Sequence, residues 1–496
     1  MICLSTSHST IDEAIGALRR NAPWLELVEL RADFLTEGER RRIVDFPGLA
    51  ATALGRRVPV ICTLRRRRDG GHFDGSETER LRFLEAVVSG GGFDFLDLEE
   101  DLLEDPEANR LVSVFPGRVI RSFHDTGGTP ENLPALFARL STHRNEIPKL
   151  AVRVSGSQDV HRVIELMVRT VGRPRIILGM GEFGFPTRIL GKRFGCFLSY
   201  TSDLDVPGTL EAAPGHLSPR VLSEIYYYPQ IDGETKLFGI IGNPVLHSKS
   251  PAYHTGAFRD AGLNGLYLPF PADDLDVFFQ TAELIGLQGL SVTIPHKEAV
   301  RRFLASEDPV VAGAGACNTV LRSSTGWRGT NTDVPGFLEP LSETLGNARG
   351  KPDLRGLRVT VLGAGGAARG AVYALTGAGA DVLILNRTAG KAELLARDIE
   401  GSIAVAGMDS EGITRSEGYR DVVVQTTSVG MAPNSDGDPF PEFSFDGSEI
   451  VYDLVYTPPE TRFLARAKEA GCSVLSGMAM FRRQAELQQE LFRGRF

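Results

Sequence analysis

Leu357-Arg358-Val359-Thr360-Val361-Leu362-Gly363-Ala364-Gly365-Gly366-Ala367-Ala368 decides how the second half of the chain is read. Its first six residues form the pattern of a buried strand. Gly363 onward reads as a glycine-rich turn, 369–375 as a helix, and 381–385 as a second strand ending at Asn386-Arg387-Thr388. Glycines let a backbone approach a pyrophosphate, and the helix N-terminus adds N–H donors and partial positive charge. Gly363, Ala364, Gly365, Gly366 and Ala367 are therefore candidate dinucleotide contacts. The second strand ends in Arg387 instead of the acidic residue that would bind a ribose 2′-hydroxyl, which favours NADP over NAD. A glycine-rich turn of some other α/β domain is the plainer alternative, and the ordered strand, helix and strand argue against it.

A chain of 496 residues is too long for one core, so several domains are expected. The net charge of -9 gives no reason to expect a nucleic-acid partner or an acidic membrane surface. Cys3, Cys62, Cys196, Cys317 and Cys472 are odd in number, far apart and without a C-x-x-C pair. They read as reduced core thiols of a cytoplasmic protein. No signal or transit peptide is expected before the first strand. No apolar run approaches the roughly 18 residues of a membrane-spanning helix.

The first half alternates short β-rich runs with helical patterns. Strands are expected at 1–5, 25–32, 58–64, 93–99, 118–123, 150–154, 175–179 and 196–200, with helices between them, such as 9–20, 77–89 and 159–171. Eight βα units point to a (β/α)8 barrel. The turn-formers of 226–233 read as a linker. The expected architecture is an N-terminal TIM barrel over 1–228, followed by a two-lobed α/β unit. Its first lobe covers 236–335 and is completed by a C-terminal helix, 478–496. Its second, 350–477, is an NADP-binding Rossmann lobe.

Barrel active sites form at the C-terminal ends of the strands. Glu29 and Arg31 close the second strand, Arg65 and Asp69 follow the third, and Glu99 closes the fourth. His124 and Asp125 follow the fifth, and Arg188 lies in the loop after the seventh. Lys149 stands at the start of the sixth, its long side chain expected to point up the barrel. A lysine buried among arginines is a Schiff-base candidate: burial and like charge both disfavour the ammonium, and the free amine can attack a ketone. His124 is the natural general base. Arg65 and Arg188 suit a carboxylate. Singly, these residues have plainer readings: a surface lysine, a structural histidine, a solvated basic run at 65–68. Their convergence on one barrel end weakens those readings. No cluster has metal-ligand spacing, so no metal is expected.

The second half carries Gly242-Asn243-Pro244…Ser248-Lys249-Ser250-Pro251, then Ser291-Val292-Thr293-Ile294-Pro295-His296-Lys297, Ala316-Cys317-Asn318-Thr319 and Asn331-Thr332-Asp333. Ser248 and Ser250 could hold a small carboxylate, or simply cap the helix that follows. Asn318 could donate to a substrate hydroxyl. Reducing a ketone leaves an alkoxide that needs a proton, and a Lys–Asp pair can orient the carbonyl and relay that proton.

Val28-Glu29-Leu30-Arg31, Thr63-Leu64-Arg65…Asp69-Gly70-Gly71, Ser122-Phe123-His124-Asp125, Pro148-Lys149-Leu150-Ala151, Met180-Gly181…Arg188 and Ala213-Pro214-Gly215 together resemble the type I 3-dehydroquinate dehydratases. That resemblance implies an imine at Lys149, proton removal by His124 and β-elimination of water. It implies substrate contacts from Glu29, Arg31, Arg65 and Arg188, with Asp69 helping to position the histidine. Asp69 stands where many members have Glu. Ala212 and His216 replace a serine and a glutamine of the substrate-covering loop, and His216 is expected to take over the glutamine's hydrogen bond.

From 236 onward the chain resembles the shikimate dehydrogenases, on the motifs above and on Val424-Gln425-Thr426-Thr427-Ser428-Val429-Gly430-Met431, Asp453-Leu454-Val455-Tyr456 and Gly477-Met478…Gln484. The resemblance implies Lys297 and Asp333 as the catalytic pair. It implies Ser248, Ser250, Thr293, Asn318, Tyr456 and Gln484 at the substrate, and Asn386, Arg387, Thr388, Thr426, Ser428 and Gly477 with the glycine-rich turn at NADP(H). The two reactions are consecutive, which matches fused dehydratase–dehydrogenases. Their substrates are small molecules: 3-dehydroquinate, 3-dehydroshikimate and shikimate. Two alternatives stand beside this reading. One is a preference for quinate in the second half. The other is a regulator of the same folds, which should have lost Lys149, His124, Lys297 and Asp333.

Overall fold

Eight strands in the first half carry apolar residues at two-residue spacing and pair side by side. They are β1 (Ile2–Thr6), β2 (Leu27–Arg31), β3 (Val60–Thr63), β4 (Phe95–Glu99), β5 (Arg118–Asp125), β6 (Ile147–Arg153), β7 (Ile176–Met180) and β8 (Ser199–Thr201). The computed structural model describes residues 1–143, 145–206, 215–346 and 352–496. Ala212, Ala213 and Pro214 of the expected covering loop lie outside them. The chain divides into two compact units, Met1–Leu287 and Gln288–Phe496.

In the first unit the strands run parallel in the order β7-β6-β5-β4-β3-β2-β1-β8. Phe197 N–H donates to Arg175 O at 2.7 Å and links the two ends of that ladder. The result is the expected barrel. Successive side chains of a strand point to opposite faces, so every second residue looks inward. Cys3, Leu27, Ile61, Phe95, Ile120, Ile147, Ile176 and Leu198, one from each strand or its entrance, form a buried inner cluster. Two residues further along stand Ser5, Glu29, Thr63, Asp97, Ser122, Lys149, Leu178 and Tyr200, mostly polar and all buried. One end of the barrel interior is thus packed and the other chemically equipped. Outside, a second cluster, with Leu18, Val28, Leu84 and Leu96, packs helices on the wall. Each such side chain stabilises by about 1.5–3 kcal/mol.

Several boundaries shift. Strand β6 begins at Ile147, so Lys149 sits inside the strand and not before it. Arg188 lies on the helix Phe185–Arg193 and not in a loop. The helix after the glycine-rich turn starts at Gly366, three residues earlier than read. The stretch read as a linker is packed: Tyr226, Tyr228 and Ile231 are buried, and the Tyr226 ring meets Phe185 edge-on. The first unit runs on through β9 (Lys236–Gly242) and β10 (Gly265–Pro271), a parallel pair. Reciprocal bonds join helix Ser157–Arg169 to the segment after β10. Ser157 N–H donates to Asp273 at 2.8 Å, Asp273 N–H to Ser157 Oγ at 3.1 Å, and His161 pairs with Thr281 at 2.9 Å.

The second unit holds two sheets. In one, β11 (Leu287–Val292) pairs antiparallel with β13 (Thr319–Ser323), β13 with β14 (Gly326–Thr330), and β14 parallel with β12 (Leu304–Glu307). The C-terminal helix, Gly477–Arg493, is tied to this sheet through Gln488. That side chain accepts from Ser291 at 2.8 Å and donates to Thr319 Oγ1 at 2.8 Å. The other sheet comprises β15 (Arg358–Leu362), β16 (Asp381–Asn386), β17 (Ile403–Gly407), β18 (Val422–Gln425), β19 (Ile450–Asp453) and β20 (Ser473–Ser476). It is parallel, in the order β17-β16-β15-β18-β19-β20. Chain direction reverses across the sheet between β15 and β18, the point where doubly wound folds bind dinucleotides.

Asp453, fully buried at the end of β19, accepts from Val455 N–H at 2.9 Å and Thr461 Oγ1 at 2.6 Å. Burial outweighs those bonds and raises its pKa from 3.8 to about 6. The folded state holds a proton there that the unfolded chain has already released, so stability falls between about pH 4 and 6 and is level above. Asp453→Asn should therefore gain thermal stability over wild type progressively across that window. An equal difference in Tm at pH 4 and pH 7 would contradict the assignment.

Candidate active sites

The first site is the polar end of the barrel. Ser5, Glu29, Arg31, Arg65, Asp69, His124, Lys149, Tyr200 and His216 line one cavity there. Behind Lys149 and Arg65 of that lining is Asp97, fully buried on β4. Lys149 Nζ donates to Asp97 Oδ2 at 2.8 Å, Arg65 approaches Oδ1 at 2.8 Å, and Ser122 Oγ donates to Oδ1 at 2.5 Å. Arg65 also pairs with Glu99 at 2.6 Å. These cations hold the Asp97 carboxyl far below the usual range against its desolvation. Sequence reasoning ringed Lys149 with arginines and did not single out Asp97, the carboxylate that the structure pairs with it. The ring of Tyr200 lies beneath the same ammonium, 4.3 Å from centroid to Nζ.

Glu29 accepts from Ser5 and from Thr63, the latter at 2.8 Å, which aims its carboxylate inward. Arg31 is clamped by Asp33 at 2.9 and 2.7 Å. His124 is at the end of β5, with Nδ1 buried and unbonded among the described residues. Burial, then the Arg65 and Lys149 charges, push its pKa well below 6.5, so its ring is neutral. Asp69 lines the same cavity as His124, and its Oδ2 accepts from Arg66 Nε at 2.6 Å. His216 Nδ1 pairs with Ser202 Oγ at 2.7 Å. Burial and the charges of Arg188, Arg31 and Lys149 keep that ring neutral too. Arg188, only 2% exposed, lies on the helix Phe185–Arg193, and its charge reaches His216.

In the second unit Lys297 Nζ donates to Asp333 Oδ2 at 2.6 Å, a half-buried pair open enough to meet a ligand. Its geometry is built from asparagines. Asn331 Oδ1 accepts from the N–H groups of Asp333 and Val334 at 2.9 and 3.3 Å, starting the helix Asp333–Thr344. Asn318 is anchored to Thr332, accepting its N–H at 2.8 Å and donating to its hydroxyl at 3.0 Å. Cys317 N–H donates to Lys297 O at 2.8 Å and fixes the lysine's backbone. Tyr456 packs on Phe481, with ring centroids 5.5 Å apart, and feels the Lys297 charge. Gln484 lies against Gly336, where a Cβ would stand 2.7 Å from its own. Thr293 follows β11 and accepts His296 N–H at its carbonyl, 2.9 Å. Ser248 and Ser250 belong to the first unit. There Ser248 Oγ accepts Ser250 N–H at 3.2 Å, just before the helix Ser250–Asp260, whose N-cap is Lys249.

The glycine-rich turn fits a phosphate. A Cβ at Gly363, φ +110°, would meet Thr426 Oγ1 at 2.7 Å, whereas one at Gly365 or Gly366 would meet nothing within 4 Å. The turn is therefore tight on its protein side and open outward, at the head of the helix Gly366–Gly377. Thr426 Oγ1 donates to Leu362 O at 2.6 Å and closes β18 against β15. Arg387 is exposed beyond β16 and forms no ion pair among the described residues; Asn386 Nδ2 braces its turn by donating to Thr388 O at 2.8 Å. Ser428 is exposed in the loop after β18. At Gly477 a Cβ would meet Leu454 O at 2.2 Å, so only glycine allows that approach.

A family model described as type I 3-dehydroquinase matches residues 2–233. The shikimate dehydrogenase substrate binding domain matches 240–320, and shikimate/quinate 5-dehydrogenase matches 346–430. The bifunctional 3-dehydroquinate dehydratase/shikimate dehydrogenase of Arabidopsis thaliana, a chloroplastic protein, is 33% identical over 513 residues, covering 100% of this chain and 82% of its own. The shikimate dehydrogenase (NADP(+)) of Methanopyrus kandleri is 42% identical over 53% of this chain and 92% of its own. That of Moorella thermoacetica is 40% identical over 54% and 90%. This chain belongs to the family of bifunctional 3-dehydroquinate dehydratase/shikimate dehydrogenases.

Proposed function

We propose that Lys149 and His124 carry the dehydration of 3-dehydroquinate, and that Lys297 and Asp333 carry the reduction of 3-dehydroshikimate to shikimate. The observation that supports this most is the buried Lys149–Asp97 pair beside a neutral, unbonded imidazole. Lys149 Nζ adds to the substrate ketone, and the adduct loses water to give a protonated imine. His124 then takes the neighbouring proton, and the released electron pair moves into the C=N bond. Return of that pair expels the β-hydroxyl, which leaves as water with the proton from His124. Hydrolysis of the imine restores the lysine, so the net change is loss of one water. Asp97 balances the cationic imine, Glu29, Arg31, Arg65 and Arg188 bind and orient the substrate, and Asp69 and His216 line its cavity.

For the second reaction, the open glycine turn supports NADP(H) as cofactor. Gly363, Ala364, Gly365, Gly366 and Ala367 would hold the pyrophosphate. Asn386, Arg387 and Thr388 would hold the ribose 2′-phosphate, and Thr426, Ser428 and Gly477 the remainder. When bound, the cofactor supplies a hydride to a carbonyl carbon. Lys297 gives the proton that the carbonyl oxygen needs, and Asp333 holds the ammonium in place. Ser248, Ser250, Thr293, Asn318, Tyr456 and Gln484 are assigned to substrate binding. The working units are the barrel 1–228, a substrate lobe 236–335 with the helix 478–496, and a cofactor lobe 350–477. No helix among the described residues is long and apolar enough to cross a membrane. The five free, buried cysteines support a cytoplasmic location.

Given 3-dehydroquinate and NADPH, the full chain should produce shikimate. Lys297→Ala should stop at 3-dehydroshikimate, with reduction down by about 10³-fold or more and dehydration intact; loss of both activities would refute two separate sites. The neutral state of His124 predicts a pH effect as well. The base is lost only as pH falls through its depressed pKa, so kcat/KM for dehydration should hold as pH drops through 6.5 and fail well below it. An acid limb at or above pH 6.5 would count against His124 as the base.

A further inference from the structure

Tyr200 has no part in the roles assigned above, yet it is built into the dehydratase cavity. It is 4% exposed, and its hydroxyl is buried without a hydrogen bond among the described residues. A buried, unbonded hydroxyl is a cost that a phenylalanine would avoid. The hydroxyl therefore does not explain the choice of residue, and the ring, packed in the inner cluster with Leu178 and Met180, does more than fill space. What the residue does offer is the face of its ring, 4.3 Å from Lys149 Nζ. The same nitrogen donates to Asp97 at 2.8 Å. Asp97 is itself shared with Arg65 and Ser122, so its charge is divided among three donors.

We propose that Tyr200 is a positioning residue of the dehydratase reaction, whose ring face stabilises positive charge on the Lys149 nitrogen once the imine has formed. The inference rests on Lys149 as the imine-forming residue. Condensation replaces two of the three ammonium protons by a carbon, so the nitrogen keeps one N–H for Asp97 and loses its other donors. A ring face needs no donor and follows the charge wherever it sits on that nitrogen. The protonated imine is the electron sink for the elimination, so this contact acts after substrate has bound. Its loss belongs in kcat and not in KM.

The test compares Tyr200→Phe and Tyr200→Leu in the full chain, with Lys149→Ala beside them. Phenylalanine keeps the ring and drops the unbonded hydroxyl. It should retain most of the dehydratase kcat, with an equal or higher Tm. Leucine removes the ring and should lower kcat about tenfold with KM within about twofold. Circular dichroism and the 3-dehydroshikimate reductase rate report whether the leucine variant is folded. A folded leucine variant with wild-type kcat overturns the proposal, as does a phenylalanine variant that falls as far as leucine. If Lys149→Ala still dehydrates, the Lys149 reading itself fails, a result separate from either Tyr200 outcome.

Discussion

Everything at the mouth of the barrel depends on one buried carboxylate. Asp97 is out of water and faces two cations and a hydroxyl. Removing one partner of a buried pair typically costs about 3–5 kcal/mol, because the survivor is left uncompensated. Here two cations share the same acid, so Asp97 fixes both Arg65 and Lys149 at once. The lysine is held against β4 from β6, and the arginine from the loop after β3. The strands of the barrel set the spacing of these charges, and the charges in turn specify how that end of the barrel is closed.

The second unit solves a similar problem with less burial. Lys297 and Asp333 remain partly open to solvent, 26% and 14% by side chain. Their partners are neutral amides: Asn331 starts the helix that presents Asp333, and Asn318 is locked to Thr332 beside it. An amide scaffold holds position without adding charge, which suits a pair that must pass a proton and recover it. In the proposed dehydration the barrel would have to stabilise a cation for the lifetime of a covalent intermediate, and a carboxylate and an aromatic face stand at Lys149 to do so. The difference in burial follows from the difference in chemistry.

The alternation of strands and helices was legible, and so were the glycine turn, the Lys–Asp pair and most of the residues that line the barrel cavity. Asp97, Ser122 and Tyr200 were not singled out because the reading looked for polar residues after the strands. They lie within strands or one residue from the end, on the inward face. The signal was present in Phe95-Leu96-Asp97-Leu98-Glu99, where a two-residue step leads from the apolar layer to the charged one. Two boundaries fell at prolines. The sixth strand was expected from 150, although β6 runs through Pro148 from Ile147. Arg188 was placed in a loop, although Pro186 occupies the first turn of its helix, where a missing N–H costs nothing. Pro229 and Gly233 made 226–233 look like a linker, while its tyrosines were the stronger signal for burial.

Asp69 also accepts a hydrogen bond from Arg66, a partner that no spacing rule on a single sequence foretells. The central claim, that Lys149 becomes covalently attached to substrate while Asp97 and its surroundings hold the charge, is open to direct measurement. Borohydride added during turnover of 3-dehydroquinate, followed by peptide mass spectrometry, should place a reduced substrate adduct on Lys149. A trapped protein without added mass, or an adduct on any other lysine, would contradict the account.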